Sequence, residues 1–267
     1  MEQNRNFVWR LLLFMLFVIY ATAVMMQRND PQPQPDSGTT AESTAETQQP
    51  IAPQPTRDIY LTFDDGPCEN TMQILDILDQ YGAKATFFTV GFFIDRYPET
   101  AVEIVRRKHL IACHTYTHEF EECYASADAF MYEIVRWRNA AKNACGILPE
   151  RICVRFPGGS TTSHADAVRD DIFAHLAAEG YHWFDWNAAD NDKWQDGNTD
   201  GLSDEQYFWQ SYQATISQFD DQPDTPVIFL MHDTEKGSVN ILPQILSDLI
   251  ARGYGFKTLD RHPDWNS

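Results

Sequence analysis

Basic residues are scarce in this chain: 20 lysines and arginines stand against 39 aspartates and glutamates, so the formal net charge is −19. Partners such as nucleic acid and anionic membrane surfaces require a basic face, so this balance argues against both. Cysteine is scarce too, and five residues in 267 are too few for a disulfide-dependent scaffold of this length. Hydrophobic residues make up 43%, which is enough to build a folded core.

Charge is also nearly absent near the N-terminus, where residues 7–26 contain one charged side chain, Arg10. Twenty helical residues span ~30 Å, the thickness of the hydrocarbon core of a membrane. Arg5 and Arg10 precede the apolar run, which orients the following chain outward. We expect residues 1–26 to be a signal anchor, or alternatively a signal peptide cleaved at Ala21–Ala23. In both cases the rest of the chain is extracytoplasmic, anchored to the cell membrane or secreted.

Residues 27–57 are rich in proline, glutamine and threonine and contain almost nothing apolar. This composition favours an extended, polyproline-like linker. Residues 58–267 are then expected to form one folded domain. This domain holds 16 of the 20 basic residues and 34 of the 39 acidic ones, so nearly all of the negative charge belongs to it.

Short apolar runs alternate with helical patterns throughout this domain. Residues 59–63 are typical of a strand, and the apolar spacing from Thr71 to Tyr81 is typical of a helix. The other predicted strands are 85–90, 110–113, 152–156, 181–186, 227–231 and 256–259. The other predicted helices are 98–108, 126–145, 164–179 and 239–252. A further helix is predicted to begin with a capping box from Ser203 to Gln206. About seven strand–helix units predict a parallel α/β fold. No glycine-rich phosphate loop follows the first strand, which favours a distorted (β/α) barrel over an open sheet.

Reactive side chains follow the ends of these strands, where β/α barrels carry their chemistry. Asp64 and Asp65 follow the first predicted strand. His114 and His118 follow the third, and His232 follows a later one. Two histidines four residues apart and one carboxylate form a three-ligand set for a divalent metal, with positions left for water. The expected ligands are therefore Asp65, His114 and His118.

Zinc is the favoured ion for two imidazoles and a carboxylate, and cobalt, nickel and manganese are the alternatives. Such an ion lowers the pKa of bound water and polarises a carbonyl. Asp64 and Asp65 repel each other at this spacing, so each needs a positive partner. The ion would serve one of them, and Arg155, near the end of the predicted strand 152–156, could serve the other. His232 is the candidate acid because imidazole titrates near neutral pH.

Four stretches resemble, in order, the motifs of the polysaccharide deacetylases, the NodB-homology enzymes of carbohydrate esterase family four. These stretches are 62–67 (TFDDGP), 114–118 (HTYTH), 155–160 (RFPGGS) and 230–233 (LMHD). A further match, Asp185 to Lys193, is weaker. The family often shows an Asp-Trp pair there, whereas Asp192 of this chain is followed by Lys193.

This resemblance implies roles for individual residues. It makes Asp64 the general base, Asp65 a metal ligand and Arg155 the residue that orients Asp64. It also implies that a carboxylate supports His232, and this carboxylate is Asp192 or, as an alternative, Asp190.

The resemblance further implies how the amide is held. The backbone N–H of Gly158 would donate to the oxyanion beside the metal, and Leu230 would line the pocket for the acetyl methyl group. The expected enzyme is a metal-dependent deacetylase of N-acetylglucosamine in a cell-wall polysaccharide, with peptidoglycan glycan strands as the favoured substrate. The alternatives are an O-acetyl esterase or chitooligosaccharide deacetylase on a secreted glycan, and a catalytically silent wall-binding module.

The cysteines leave two alternatives open. Cys145 and Cys153 could form a disulfide across residues 146–149 in an oxidising medium, or all five cysteines could remain thiols. Cys113 should point away from His114, because successive side chains of a strand face opposite sides. It is therefore expected in the core and not among the metal ligands.

Overall fold

Eight parallel strands form the centre of the fold in the computed structural model, which describes residues 54–149, 151–193 and 201–266. The strands are β1 (Arg57–Asp64), β2 (Ala85–Thr89), β3 (Leu110–Cys113), β4 (Cys153–Val154), β5 (His182–Trp183), β6 (Ala188–Ala189), β7 (Val227–His232) and β8 (Tyr254–Phe256). Their order is β5-β4-β3-β2-β1-β7-β6, with β8 paired to β1. The predicted parallel α/β architecture is confirmed as a curled half-barrel, and within the described residues no ladder joins β5 to β6.

Helices follow most of the strands. They are α1 (Thr71–Gln80), α2 (Gly91–Arg96), α3 (Pro98–Arg106), α4 (Phe120–Cys123), α5 (Ala127–Cys145), α6 (Arg169–Ala178), α7 (Asp204–Ile216) and α8 (Lys236–Ala251), with short 3₁₀ turns at Ser163–Ala165, Ser217–Phe219, Leu259–Arg261 and Pro263–Asn266. Helix α7 begins with the predicted capping box between Ser203 and Gln206. Helix α5 begins after Ser126, whose side chain accepts the N–H of Ala129, and ends at Gly146 in the left-handed conformation that glycine adopts at low cost.

The strands divide the core into two parts because successive side chains alternate between the faces of the sheet. On the outer face of β1, Ile59, Leu61 and Phe63 pack with the helices in the main hydrophobic cluster. On the inner face, Tyr60 belongs to a smaller cluster. Each fully buried side chain of this size contributes about 1.5–3 kcal/mol. Asp64 continues the inner row of β1, so the curl of the sheet directs it into the half-barrel.

The structure differs from the predicted elements mainly after residue 150. Strands β4 and β5 have two residues each, where five and six were predicted. After β4 the chain leaves the ladder at Pro157, which lacks a backbone N–H donor. The predicted helix over 164–179 begins only at Arg169, after a 3₁₀ turn. Strand β6 consists of two alanines, which carry no periodic pattern, and it was not predicted.

All five cysteines are free thiols in the structure. Cys145 packs against the helix-side cluster, whereas Cys153 belongs to the inner cluster, so the sheet separates the pair proposed for a disulfide. Cys113 is fully buried in the helix-side cluster, on the face opposite to His114.

The predicted N-terminal segment, residues 1–26, and residues 27–53 of the predicted linker lie outside the described residues. Among the residues that are described, no helix combines the length and the apolar character needed to cross a bilayer. Strand β1 begins at Arg57, one residue before the predicted start of the folded domain at Asp58.

Candidate active site

The predicted site residues meet at the carboxyl ends of the strands. Asp64 ends β1 and lies opposite His232 of β7 in the parallel ladder, while His114 directly follows β3. A cavity of about 490 Å³ opens over them. It is lined by Asp64, Asp65, His114, His118, Phe120, Gly158, Trp186, Ala189, Asn191, Asp192, Lys193, Leu230 and His232.

Asp65, His114 and His118 form a cluster whose ligand atoms all lie within 4.8 Å of one another. Asp65 Oδ1 lies 3.5 Å from His114 Nε2 and 3.4 Å from His118 Nε2. This Oδ1 is buried and has no hydrogen-bond partner. His114 Nδ1 lies 3.0 Å from the carbonyl oxygen of Arg155, so Nδ1–H donates there and the lone pair of Nε2 faces the cluster. These residues fit a divalent cation, which would satisfy the buried carboxylate oxygen.

The backbone at this cluster is held in a costly conformation. Asp65 and His118 have φ angles of 75° and 63°, in the left-handed region that costs a non-glycine residue about 1–2 kcal/mol. Thr115 Oγ1 accepts the backbone N–H of His118. Glu133, buried on α5, accepts the backbone N–H groups of Tyr116 and Thr117. The fold therefore supports the strained loop that presents His118.

Asp64 is paired with a buried arginine beneath the cavity. Arg155 is fully buried, and its Nη1 donates to Asp64 Oδ1 at 2.9 Å and to Thr62 Oγ1 at 2.7 Å. Its other nitrogens donate to the carbonyl oxygens of Phe184 and Asp185, at 3.0 and 3.1 Å. With both ends of the guanidinium fixed, the second oxygen of Asp64 is directed toward His114, 3.7 Å from Nε2.

His232 ends β7 beside Asp64 and is held by Asp192. Asp192 Oδ1 is 2.6 Å from His232 Nδ1, and Oδ2 accepts the backbone N–H of His232 at 2.7 Å. Burial lowers the pKa of His232, but the hydrogen bond and charge of Asp192, with the charges of Asp64 and Asp65, outweigh it and raise the pKa to about 9. The contact with Asp192 therefore favours the imidazolium form of His232.

Asp190, the alternative partner of His232, occupies a different position. Its Oδ2 lies 2.8 Å from Ser238 Oγ, which is also 2.8 Å from Asp192 Oδ2. Burial and the charge of Asp192 raise the pKa of Asp190 well above its usual range, which favours its neutral form. One hydroxyl has one proton, so a neutral Asp190 donates to Ser238 and Ser238 donates to Asp192. A buried chain of hydrogen bonds thus ends at His232.

The pKa values of the ligand cluster also respond to burial and charge. Burial, with the neighbouring charge of His114, lowers the pKa of His118 to about 4 and leaves a neutral imidazole. Burial opposes ionisation of Asp65, but nearby histidines and Lys193 outweigh it and lower the pKa of that carboxyl.

Gly158 and Leu230, the predicted substrate contacts, both line the cavity. Gly158 has a φ of 76°, and a Cβ there would lie 3.3 Å from the ring of Phe120. Leu230 is nearly buried on β7, two residues before His232. Trp186 adds an aromatic wall beside them.

Three comparisons with known proteins agree with this geometry. The polysaccharide deacetylase family model matches residues 52–173. The crystal structure of the catalytic domain of peptidoglycan N-acetylglucosamine deacetylase from Eubacterium rectale is 30% identical, with a TM-score of 0.66 over 81% of this chain and 93% of that one. This chain belongs to the polysaccharide deacetylase family. Members of this family hydrolyse N-acetyl groups, so the chain is a deacetylase.

Two curated relatives carry more specific names. A Bacillus cereus peptidoglycan-N-acetylglucosamine deacetylase is 28% identical over 203 residues, covering 74% of this chain and 67% of its own length. A Bradyrhizobium chitooligosaccharide deacetylase is 36% identical over 133 residues, covering 48% of this chain and 56% of its own. The names of these two relatives differ in the substrate that they give, although both proteins are deacetylases.

Several residues of this deacetylase site were not assigned a role from the sequence. Ser238 and Glu133 lie on helices, where their positions carry no motif and only the fold brings them to the site. Phe120, which lines the cavity, stacks on His164 with ring centroids 4.4 Å apart. Lys193 was visible as a departure from the family pattern, and its side chain also enters the cavity.

Proposed function

We propose that this deacetylase removes the acetyl group from N-acetylglucosamine in peptidoglycan, with a divalent metal held by Asp65, His114 and His118. The observation that carries the proposal is that Asp64 and His232, register partners at the ends of β1 and β7, line the same cavity as this cluster. Zinc suits two imidazoles and one carboxylate best, with cobalt, nickel and manganese as alternatives. A metal bound there would polarise the amide carbonyl and acidify the attacking water.

Asp64 acts as the general base. Arg155 occupies Oδ1 of this carboxylate, which leaves Oδ2 to accept a proton from the attacking water. Because the guanidinium is itself buried and held at both ends, the carboxylate keeps one orientation through the reaction.

His232 acts as the general acid. An amide nitrogen leaves as an amine only when it gains a proton. Asp192 accepts from Nδ1 of His232, so Nε2 carries the proton that the leaving nitrogen takes. The raised pKa keeps this proton available at neutral pH.

The remaining cavity residues orient the acetamido group. The backbone N–H of Gly158 donates to the oxyanion as charge develops on the carbonyl oxygen. Leu230 contacts the acetyl methyl group, and Trp186 and Phe120 present aromatic faces to the sugar ring.

Peptidoglycan is the proposed polymer for two reasons. The Eubacterium rectale and Bacillus cereus proteins, which match most of this chain, are peptidoglycan-N-acetylglucosamine deacetylases. The apolar N-terminal sequence is expected to anchor the enzyme at the outer side of the cell membrane, next to the wall.

The test is acetate release from purified peptidoglycan, chitin oligomers and acetylxylan, assayed side by side on the same protein. We expect the highest kcat/KM on peptidoglycan, loss of activity with a chelator, and recovery with zinc or cobalt. Preference for chitin oligomers would favour the chitooligosaccharide alternative, and preference for acetylxylan would favour an O-acetyl esterase. Full activity in a verified metal-free sample would refute the metal-dependent reaction.

A further inference from the structure

The loop that presents the backbone N–H of Gly158 contains two consecutive glycines. Gly158 and Gly159 have φ angles of 76° and 84°, in the left-handed region that glycine enters at low cost. Among the described residues the N–H of Gly158 has no acceptor, whereas the N–H of Gly159 donates to the carbonyl oxygen of Phe156 at 2.8 Å. The Gly158 N–H is therefore available to a ligand, and contacts from outside this flexible pair are needed to fix its direction.

Asp185 holds the loop two residues after Gly158. Its Oδ1 accepts the backbone N–H of Ser160 at 2.9 Å, and its Oδ2 accepts the hydroxyl of the same serine. Ser160 is only 5% exposed, so these bonds are largely shielded from water. Hydrogen bonds to a carboxylate are about twice as strong as those between neutral groups. The carboxylate of Asp185 therefore fixes both the main chain and the side chain of Ser160.

Asp185 is in turn fixed relative to the proposed general base. Its carbonyl oxygen accepts Nη2 of Arg155 at 3.1 Å, and Nη1 of the same guanidinium donates to Asp64 Oδ1 at 2.9 Å. The backbone of Asp185 is thus tied to Asp64, while its side chain is tied to the loop that carries Gly158. Hydrogen bonds therefore connect the proposed base to the proposed oxyanion donor through this one residue.

The side chain of Asp185 acts at a distance from the reacting atoms. Trp186 lines the cavity, but Asp185 is not among the described residues that do. Arg169 also holds the loop, with Nε 2.6 Å from the carbonyl oxygen of Ser160 and Nη2 2.7 Å from that of Thr162. The loop therefore stays attached without the carboxylate of Asp185, and what it would lose is the restraint on the N–H side of Ser160, next to the two glycines.

We propose that Asp185 is a positioning residue for oxyanion stabilisation. By holding Ser160 it directs the N–H of Gly158 toward the carbonyl oxygen of the substrate as negative charge develops there. This inference rests on the proposed function, in which Gly158 supplies that donor.

The size and the pattern of the effect follow from this role. Removing one oxyanion donor costs about 10²–10³-fold in kcat, so a donor that remains but is poorly directed should cost about 10- to 100-fold. The oxyanion forms whether the leaving group is an amine or a phenolate. The loss should therefore be similar on an N-acetylated glycan and on an activated aryl acetate.

The experiment compares three variants with the parent. Asp185→Ala removes both bonds to Ser160 but keeps the carbonyl oxygen that accepts from Arg155, so the link to Asp64 remains. Asp185→Asn is the conservative variant, because its amide oxygen can accept the Ser160 N–H and its NH₂ can donate to the Ser160 hydroxyl. Asp248→Ala is the matched control. It removes a carboxylate that likewise accepts two hydrogen bonds, from Tyr212 and Arg252, on helix α8 and away from the cavity.

Four quantities are measured for each protein. They are kcat and KM on peptidoglycan and on the aryl acetate, metal content per folded protein, the free energy of unfolding, and amide hydrogen exchange of the segment 156–162. Rates are expressed per bound metal ion. For Asp185→Ala we expect a kcat about 10- to 100-fold lower on both substrates, a KM within about twofold of the parent, parental metal content and faster exchange of the segment.

The other two variants separate positioning from stability. Asp185→Asn should recover most of the lost kcat and restore slow exchange of the segment. Asp248→Ala should lose stability while its kcat and the exchange of the segment stay at the parental values. A merely structural role of Asp185 would instead give alanine variants whose rates follow their stability.

Several results would overturn the inference. They are a parental kcat in Asp185→Ala, a loss confined to KM, a loss much larger on the glycan than on the aryl acetate, and a failure of Asp185→Asn to recover activity. If the parent cleaves the aryl acetate but releases no acetate from peptidoglycan, the proposed substrate is wrong, and the aryl acetate still decides the role of Asp185. If the parent cleaves neither, the proposed function fails, and unchanged exchange of the segment in Asp185→Ala would refute the hold on the loop as well.

Discussion

Asp192 holds His232 with both of its carboxylate oxygens, one on the imidazole Nδ1 at 2.6 Å and the other on the backbone N–H at 2.7 Å. The same aspartate thus fixes the orientation of the ring, its tautomer and the position of the strand end that carries it. The imidazolium is stabilised at the same time, which connects this contact to the pH range of the reaction.

The first prediction concerns that pH range. With the pKa of His232 raised to about 9, the acid form is present below that pH, and kcat/KM should fall as the pH rises through about 9. Asp192→Asn removes the negative charge that stabilises the imidazolium, so the fall of kcat/KM on the alkaline side of the pH profile (its alkaline limb) should move to lower pH. The ratio of the kcat/KM of the parent to that of Asp192→Asn should therefore increase between pH 7 and pH 9.

Asp190→Asn is the matched control for this change. The raised pKa of Asp190 favours its neutral form, so an amide replaces a neutral acid of nearly the same shape. The alkaline limb should stay nearly in place. If Asp190→Asn moves the limb as far as Asp192→Asn does, the assignment of the supporting carboxylate is wrong.

The second prediction separates the two adjacent aspartates. Asp64→Asn should retain the metal, because Asp65, His114 and His118 remain, while acetate release falls by ~10²–10⁴-fold, the usual contribution of a general base. Asp65→Ala should lose metal and activity together. Metal content per folded protein and the rate are measured for both variants. An Asp64→Asn enzyme with most of its amide activity would exclude the base role.

The third prediction concerns proton donation by His232. An amide requires a proton on its leaving nitrogen, whereas an activated aryl acetate has a leaving group that departs without one. His232→Ala should therefore lose much more activity on the N-acetylated glycan than on the aryl acetate, with its metal content unchanged. Equal losses on the two substrates would point to binding or oxyanion stabilisation instead.

The fourth prediction concerns the loop that carries Asp65, the proposed metal ligand. A Cβ on Gly66 would lie 1.9 Å from Oδ2 of Asp233, a buried carboxylate that accepts a hydrogen bond from Thr71. Gly66→Ala must therefore displace this loop, at a cost of about 1–3 kcal/mol. Because Asp65 is the preceding residue, metal affinity should fall as well. Denaturant unfolding and competition with a chelator measure the two effects.

Gly82→Ala provides the comparison for Gly66→Ala. A Cβ at Gly82 meets no heavy atom within 4 Å, and its φ of 63° makes alanine there cost about 1 kcal/mol. Stability should fall while metal affinity stays at the parental value. Parental metal affinity in Gly66→Ala would contradict the argument that the close approach of Asp233 positions the loop.

The parts of the fold that the sequence predicted are those with a strong local pattern. The strand Leu110–Cys113 was predicted with its observed bounds, and α1 differs by one residue, since each has a clear apolar period. Strand β6 is two alanines whose pairing with β7 depends on the tertiary fold. The short helix α4, which supplies Phe120, likewise has no periodic signal over its four residues.

The candidate site could be predicted where its residues lie close together in short sequence motifs. Asp65, His114 and His118 are recognisable because their residue types and their places after strands are unusual together. The chain of Asp190 and Ser238 could not be inferred, because these residues lie 48 positions apart and a serine on a helix has no distinguishing pattern. The choice between Asp190 and Asp192 likewise required the direction of each side chain.

Arg155 links Asp64, the proposed general base, to the buried core, and this has a consequence for how the chain can evolve. A guanidinium fully buried beneath the cavity needs Asp64 as its counter-charge, and removing one partner of a buried pair costs about 3–5 kcal/mol. That is a large part of the stability of an ordinary domain, about 5–15 kcal/mol. A lineage released from selection for activity therefore still incurs a folding penalty for losing Asp64, and a change of Arg155 at the same time would reduce it.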